Sequence, residues 1–349
     1  MTGKRKFVFS LSNSILLRFA GIALGFVVTV LVTRTLGITE SGYYLYVLQL
    51  LTFIATFLNL GLKSILLREI AGRGPDADSG HITSIVWSIF LRVIPGCLVA
   101  YLLLWSLGSE FVELIRKEQV HAVLAVLLPL ILIQPFSIYL YTVLQALTRV
   151  HLAVLLEKAV LPVLLIIGIV MFSPSSALAM AQVFLGAFVL SMIVSFVACR
   201  RYIFEFSGFS MTPVRGARSF FTIHVVNNAG LIIITLFNGY FLSAEELSVL
   251  IVATRFVSLL SFALVACNFI AAPRYARLYK EKRLGELKHF AQYVCGILLI
   301  AVVPVFGVLL FFSDEFMSIF GNEFAPYGWV LAILLVGQTI NVMTGSVGY

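Results

Sequence analysis

The chain has 349 residues, of which 61% are hydrophobic and only 11% charged, against about a quarter charged in ordinary soluble domains. A mean hydropathy of +1.06 excludes a water-soluble globule. The net charge of +8 would suggest nucleic acid in a soluble protein, but here the basic residues sit in loops between apolar blocks, and no nucleic-acid partner is expected.

Those blocks run for roughly 20 residues, the length a helix needs to cross about 30 Å of hydrocarbon. In chain order they predict membrane helices at about 10–33, 42–62, 82–107, 120–144, 152–172, 177–199, 219–241, 247–271, 291–312 and 326–348. The expected fold class is therefore an all-α integral membrane protein of about ten transmembrane helices. A β-barrel would alternate in segments of about ten residues; runs such as Ile131-Leu132-Ile133 do not. The basic start through Lys6 precedes an apolar stretch too long for a signal peptide and without a small-residue cleavage site, so it opens the first span. Cys97, Cys199, Cys267 and Cys295 form no C-x-x-C pair, which supports neither a metal site nor a disulfide framework.

The loops set an orientation. With the amino terminus cytoplasmic, 18 of the 24 Lys and Arg residues fall on the inner side, while Arg34, Arg116 and Lys117 alone fall outside. The inner set includes Lys63, Lys158 and the run from Arg274 to Lys288. Trp87, Trp105 and Trp329 lie near predicted helix ends, where indole rings favour the membrane interface.

The chain also repeats a pattern within itself. Leu36-Gly-Ile-Thr-Glu40, after the first span, matches Phe241-Leu-Ser-Ala-Glu245, after the seventh, at an offset of about 205. The pairing predicts two lobes in the same orientation: six helices over 1–205, and four over 206–349 with the last two of a roughly twelve-helix plan missing. The sequence stops at Gly345-Ser-Val-Gly-Tyr349 with no basic residue to mark the cytoplasmic face.

Three arginines sit inside predicted spans: Arg18, Arg92 and Arg255. A charge near the bilayer centre costs at least about 2.5–3.5 kcal/mol, so it faces a wet cavity or a partner. Nearly all Asp and Glu residues lie in loops, Glu157 beside Lys158 being the nearest exception. One reading is a cationic cavity for an anionic substrate, since the planar guanidinium binds phosphate oxygens bidentately. The other is that these side chains snorkel to headgroups. Asn59, Asn227, Asn228, Asn268, Gln338 and Asn341 also fall within spans, as do Gln49 and Gln134. They would either line a path for sugar hydroxyls or bond helix to helix. Gly21-x-x-x-Gly25 is a helix-packing motif, and Pro95, Pro129, Pro135, Pro162 and Pro304 are candidate kinks. The loop Pro273-Arg-Tyr-Ala-Arg-Leu-Tyr-Lys-Glu-Lys-Arg283 is either a topology anchor or a seat for anionic lipid headgroups.

No Walker A sequence, H-E-x-x-H motif or nucleophile elbow is present, and no loop exceeds about 20 residues. Neither a catalytic residue, a cofactor nor a metal is expected. His224 is the one candidate acid or base within the spans.

Arg18-Phe-Ala-Gly-Ile-Ala-Leu-Gly25, Thr33-Arg-Thr-Leu-Gly37 with Glu40-Ser-Gly42, and Leu67-Arg-Glu-Ile-Ala-Gly72 resemble polysaccharide repeat-unit (O-antigen type) flippases. These belong to the multidrug/oligosaccharidyl-lipid/polysaccharide exporter superfamily. Pro273-Arg-Tyr-Ala-Arg-Leu-Tyr279 and Gly337-Gln-Thr-Ile-Asn-Val-Met-Thr-Gly-Ser-Val-Gly-Tyr349 look like that family's loop after helix eight and its tenth helix. The resemblance implies transport of an undecaprenyl-pyrophosphate-linked oligosaccharide across the bacterial inner membrane by two lobes of alternating access. It implies cavity roles for Arg18, Arg255 and Arg92. Its implied partners are the lipid-linked oligosaccharide, membrane lipids and other polysaccharide-assembly proteins. A multidrug cation antiporter of the same superfamily is the alternative; it would want carboxylates in mid-span. A membrane glycosyltransferase or polymerase would want a long loop or an external catalytic acid.

Overall fold

The structure is a computed structural model that describes residues 3–72, 79–202 and 217–343; side chains at 3–16, 79, 81, 201, 217–220, 223, 227, 259–270, 272, 273 and 276 lie outside that description. Every regular element among the described residues is helical. They are α1 (Gly3–Phe57), α2 (Leu62–Ala71), α3 (Ser79–Ser106), α4 (Gly108–Ile115), α5 (Gln119–Leu127), α6 (Leu130–Ala146) and α7 (Val150–Leu155). There follow α8 (Leu161–Phe172), α9 (Ala177–Cys199), α10 (Ala217–Phe241), α11 (Ala244–Lys280), α12 (Leu284–Phe311), α13 (Ser313–Ser318) and α14 (Gly328–Met343). Chains in hydrocarbon have no water to satisfy peptide groups, so helix is the open-ended solution.

Among the described residues, six helical segments are long and apolar enough to cross a membrane, or seven if the α5–α6 pair, bent by 44°, counts as one span. The chain is a multi-pass membrane protein. The expected count of ten is larger for identifiable reasons. The first segment, Leu17–Phe57, is 41 residues long and holds a break at Gly37, whose φ of 74° and ψ of 178° are not helical. It covers two expected spans. The seventh and eighth correspond to α10 and α11, which lie outside that tally. Side chains such as Phe172, Ile300 and Phe311 are exposed, as lipid-facing residues are.

Packing divides the chain into two compact units, 1–247 and 248–349. The lobe boundary expected at 205/206 lies outside the described residues, as does the terminal stretch 345–349.

In the first unit, four helix connections meet on one face. Glu40 accepts from the Ala177 backbone N–H at 2.6 Å, placing a carboxylate on the first turn of α9, where helix N–H groups favour negative charge. Ser176 caps the same helix by accepting from Ala179 N–H at 3.2 Å. Thr39 donates to Glu245 at 3.1 Å, so the two turns matched in the sequence touch each other. Lys117 donates to the Gly239 carbonyl at 2.7 Å. Burial pulls the Lys117 ammonium below the ordinary lysine range, and nearby Glu246 partly offsets this. Gly42 packs so closely on the Ala244 carbonyl that a β-carbon there would overlap it. Even on the opposite side the helices are tied: Thr83 donates to the Tyr202 carbonyl at 3.0 Å.

The core of this unit is aromatic. Phe90 stacks on Phe136 with centroids 3.5 Å apart and meets Tyr139 edge-on at 5.6 Å. Trp87 is half-buried and packs on the buried cluster of Leu140, Leu144, Ala153, Leu156 and Cys199. It lies two turns inside α3 because that helix begins at Ser79. Trp105 and Trp329 are exposed near helix ends.

Replacing Glu40 with Ala is expected to cost about 1 kcal/mol by removing the charge at the α9 N-terminus. Gly42→Leu is expected to cost about 1–3 kcal/mol or more through overpacking against backbone. Thermal unfolding of the detergent-solubilised chain, followed by tryptophan fluorescence, checks both.

Candidate functional site

A polar concavity of the first unit begins with a proline. Pro162 has no N–H and its ring crowds the carbonyl four residues back, that of Lys158. The helix between α7 and α8 responds by widening into a π turn over Leu156–Val160. Such turns are rare and frequent at functional sites. Gly21 of α1 accommodates the bulge, since a β-carbon there would collide with the Lys158 side-chain base. Gly25 meets nothing within 4 Å; only the first glycine of the expected packing motif is used for close approach. Arg18 lies one turn before Gly21 on the same face of α1.

The π turn aims Glu157 and Lys158 into a cavity of about 260 Å³. Their ion pair closes at 3.1 Å, with side chains 31% and 45% exposed. A pair this open to water is worth about 1 kcal/mol or less, so other charged groups compete for it readily. Lys158 therefore belongs within the segment Val150–Phe172 rather than to a cytoplasmic loop. The facing wall is α6, whose Gln134, Ser137, Tyr141 and Gln145 fall at helical spacing on one face and line the cavity. Lys63, from the start of α2, completes the rim. Ser137 and Thr142 donate their hydroxyl hydrogens to the Gln134 and Ile138 carbonyls at 2.8 and 2.7 Å. The result is two ammonium groups, one carboxylate, two amides and a phenol in an otherwise apolar protein.

Of the amides expected within spans, Gln134 lines this cavity; Arg18, Arg92, Arg255, Asn59, Asn228, Gln338 and Asn341 do not. Arg92 is half-buried on α3 and turns back along its own helix, where its Nη1 donates to the Ser88 carbonyl at 2.9 Å and to the Ser88 hydroxyl. Arg18 is exposed on α1 and Arg255 exposed on α11. The structure thus brings Arg18 near the π turn, while Arg255, Gln338 and Asn341 belong to the second unit. Asn59 is buried where α1 gives way to α2; its amide donates to the Ala55 carbonyl at 3.0 Å and its backbone carbonyl accepts from Tyr139 at 3.2 Å. Its Oδ1 has no partner among the described residues. Asn228 donates to the His224 carbonyl at 2.8 Å and ring Nδ1 at 3.2 Å. His224 Nε2, 2.7 Å from the Thr56 carbonyl, is consequently the protonated nitrogen of that ring. This ties α10 to α1. Gln338 is half-buried and Asn341 exposed on α14. The side chains of Asn227 and Asn268 lie outside the described residues.

The basic segment is mostly helical, because α11 runs on to Lys280 and α12 begins at Leu284. Arg277 pairs with Glu281 at 2.8 Å, and Arg283 with Glu281 at 3.1 Å and Glu286 at 2.5 Å. Hydrogen bonds from Arg277 and then Arg283 hold the Glu281 carboxyl below the usual range. Arg274 lies over the Phe290 ring at 4.4 Å. Two of the cations expected to be open to headgroups thus have carboxylate partners.

The family described as polysaccharide biosynthesis protein matches residues 10–310. No curated protein matches the chain in sequence. Among solved structures, a multidrug resistance MATE family transporter of the MOP superfamily in its inward-facing conformation is similar, with a TM-score of 0.64 and 15% identity over 96% of this chain and 84% of that one. A MOP superfamily transporter from Pyrococcus furiosus, described as having a binding pocket of reverse polarity, is similar with a TM-score of 0.58 and 15% identity over 95% and 79% of the two chains. The fold is that of MOP superfamily transporters.

Gly21→Val is expected to destabilise the chain by about 1–3 kcal/mol through collision with the π turn. Gly25→Ala, in open space, should leave stability unchanged or slightly raised. Parallel melting curves of the two variants separate these outcomes.

Proposed function

The chain belongs to the polysaccharide biosynthesis protein family, and from that membership we infer a flippase for an undecaprenyl-pyrophosphate-linked oligosaccharide repeat unit. The reading places it in the bacterial inner membrane with its amino terminus cytoplasmic, working by alternating access between two lobes. The observation that carries it is the match over residues 10–310. The chemistry of the cavity supports it: amides, a phenol and ammonium groups suit a ligand rich in hydroxyls and phosphate oxygens. Substrate, membrane lipids and other polysaccharide-assembly proteins are its partners in this reading, and it needs no resident cofactor. The nine residues Arg18, Arg92, Arg255, Asn59, Asn227, Asn228, Asn268, Gln338 and Asn341 are its proposed substrate contacts, with the arginines holding pyrophosphate.

A second reading, a multidrug cation antiporter, is favoured by one observation. Glu157 is a carboxylate inside a membrane segment and lines a cavity, which is what a cation site wants. Its partnership with Lys158 lowers its value to a cationic ligand, because the nearest positive charge is already there.

Single Ala variants of Arg18, Arg92 and Arg255 test the first reading in cells that depend on the chain for periplasmic delivery of lipid-linked glycan. At least one variant is expected to lose delivery about tenfold, the effect of one charge-assisted contact. Normal delivery by all three well-expressed variants would overturn the arginine assignment. Drug susceptibility that changes with Glu157→Gln while glycan delivery does not would favour the antiporter.

A further inference from the structure

We propose that the cavity beside the π turn is an anion subsite for a phosphorylated sugar, with Glu157 as its resident counter-ion. The proposal rests on the flippase reading for the identity of the ligand, but not for the site itself.

Three observations converge on it. First, the cavity joins two ammonium groups, Lys63 and Lys158, to a single carboxylate, Glu157, so its ionised lining carries an excess positive charge. Second, the Lys158 ammonium is held by its immediate sequence neighbour at 3.1 Å, with both side chains partly open to solvent. Both residues belong to the π turn, and both line the same concavity. An ion pair of this kind keeps the cation in place while the cavity is empty and releases it to a stronger acceptor. A phosphate supplies more charge and more acceptor oxygens than one carboxylate, and charge-assisted bonds to it are the strong class. Third, the opposite wall is a stripe of Gln134, Tyr141 and Gln145 on one face of α6. Amides both donate and accept, as sugar hydroxyls require, and the displaced Glu157 carboxylate is an acceptor for another hydroxyl.

Size narrows the ligand. At about 260 Å³ the cavity falls just below the range of about 300–1,000 Å³ usual for small-molecule sites. It fits a phosphate and one sugar rather than an oligosaccharide, so the remaining sugars and any lipid would extend beyond it. Two sources share this chemistry: the phosphate-linked first sugar of a lipid carrier, and a free sugar phosphate.

The test uses the full chain in lipid nanodiscs, with glucose 1-phosphate, a short-chain prenyl pyrophosphate and the same prenyl pyrophosphate carrying a disaccharide as calorimetric titrants. Lys63→Gln and Lys158→Gln are each expected to weaken binding of the carrier probes about tenfold, with Lys158→Arg retaining most of it. Glu157→Gln is expected to tighten binding severalfold, because Lys158 no longer has to be won from a carboxylate. A merely structural role for Glu157 would not tighten binding. Gln134→Leu and Gln145→Leu should weaken the glycosylated carrier but leave the bare prenyl pyrophosphate unchanged. Equal binding of glucose 1-phosphate and the glycosylated carrier would assign the site to free sugar phosphates; preference for the carrier assigns it to the lipid-linked source. Wild-type affinity in both folded lysine-to-glutamine variants would overturn the subsite, as would weaker binding in Glu157→Gln. The two readings also fail separately. Lysine-dependent binding without any movement of lipid-linked glycan in vesicles would sink the flippase and keep the subsite. Normal flipping by the lysine variants would do the reverse.

Discussion

An unsatisfied peptide group in hydrocarbon costs several kcal/mol, and this constraint governs the whole molecule. It makes every described regular element a helix and confines departures from regular geometry to positions with a local remedy. Gly37 and Gly61 adopt positive φ where helices break, conformations that a side chain would resist. The α9 N-terminus has two acceptors for its exposed N–H groups, Ser176 and Glu40. The Lys117 ammonium finds two carbonyls at the end of its loop. Several breaks are therefore also joints: the turn at Gly37 bonds through Glu40 and Thr39, and the α1–α2 break through Asn59 and Tyr139.

The same constraint explains why the polar cavity lies where it does. Pro162 removes one backbone donor, and the helix answers with a π turn rather than an open gap. That turn carries two charged side chains that line one concavity, and α1 can pass beside it because residue 21 is glycine. A chain of local effects, from a missing N–H to a missing side chain, thus ends in an ion pair facing a row of amides. The pair is weak enough to exchange and close enough to hold its cation in place. The geometry suits a ligand that arrives with its own negative charge.

Much of this was legible in the residues themselves. The apolar blocks located the helices to within a few residues, and Leu36–Glu40 was recognisable as a turn. The count of spans was harder, since a block boundary and a helix boundary need not coincide: the chain stays helical on both sides of Gly37, and α11 continues well past its apolar part to Lys280. The cavity was half visible. Glu157 and Lys158 stood out as charges at the edge of an apolar run, and Gln134, Tyr141 and Gln145 share a helical stripe, but a stripe on one helix does not reveal what faces it. Asn228 and Asn59 illustrate the converse: both are polar groups within spans, and each side-chain amide donates to the carbonyl four residues back along its own chain.

By itself, the sequence determined that the chain lives in a bilayer, that it spans it as helices, and roughly where those helices turn. Composition and block length suffice for this, because the bilayer imposes one length and one kind of backbone. Only the tertiary structure decided which polar residues meet. It packed Trp87 against a buried cluster, paired Arg277 and Arg283 with carboxylates, used Gly21 but not Gly25 for contact, and put Lys63 on the cavity that α6 lines. The physical reason is range: burial in lipid acts on each residue according to its own chemistry, whereas a cavity is made by side chains from α2, α6 and the π turn, far apart in the chain.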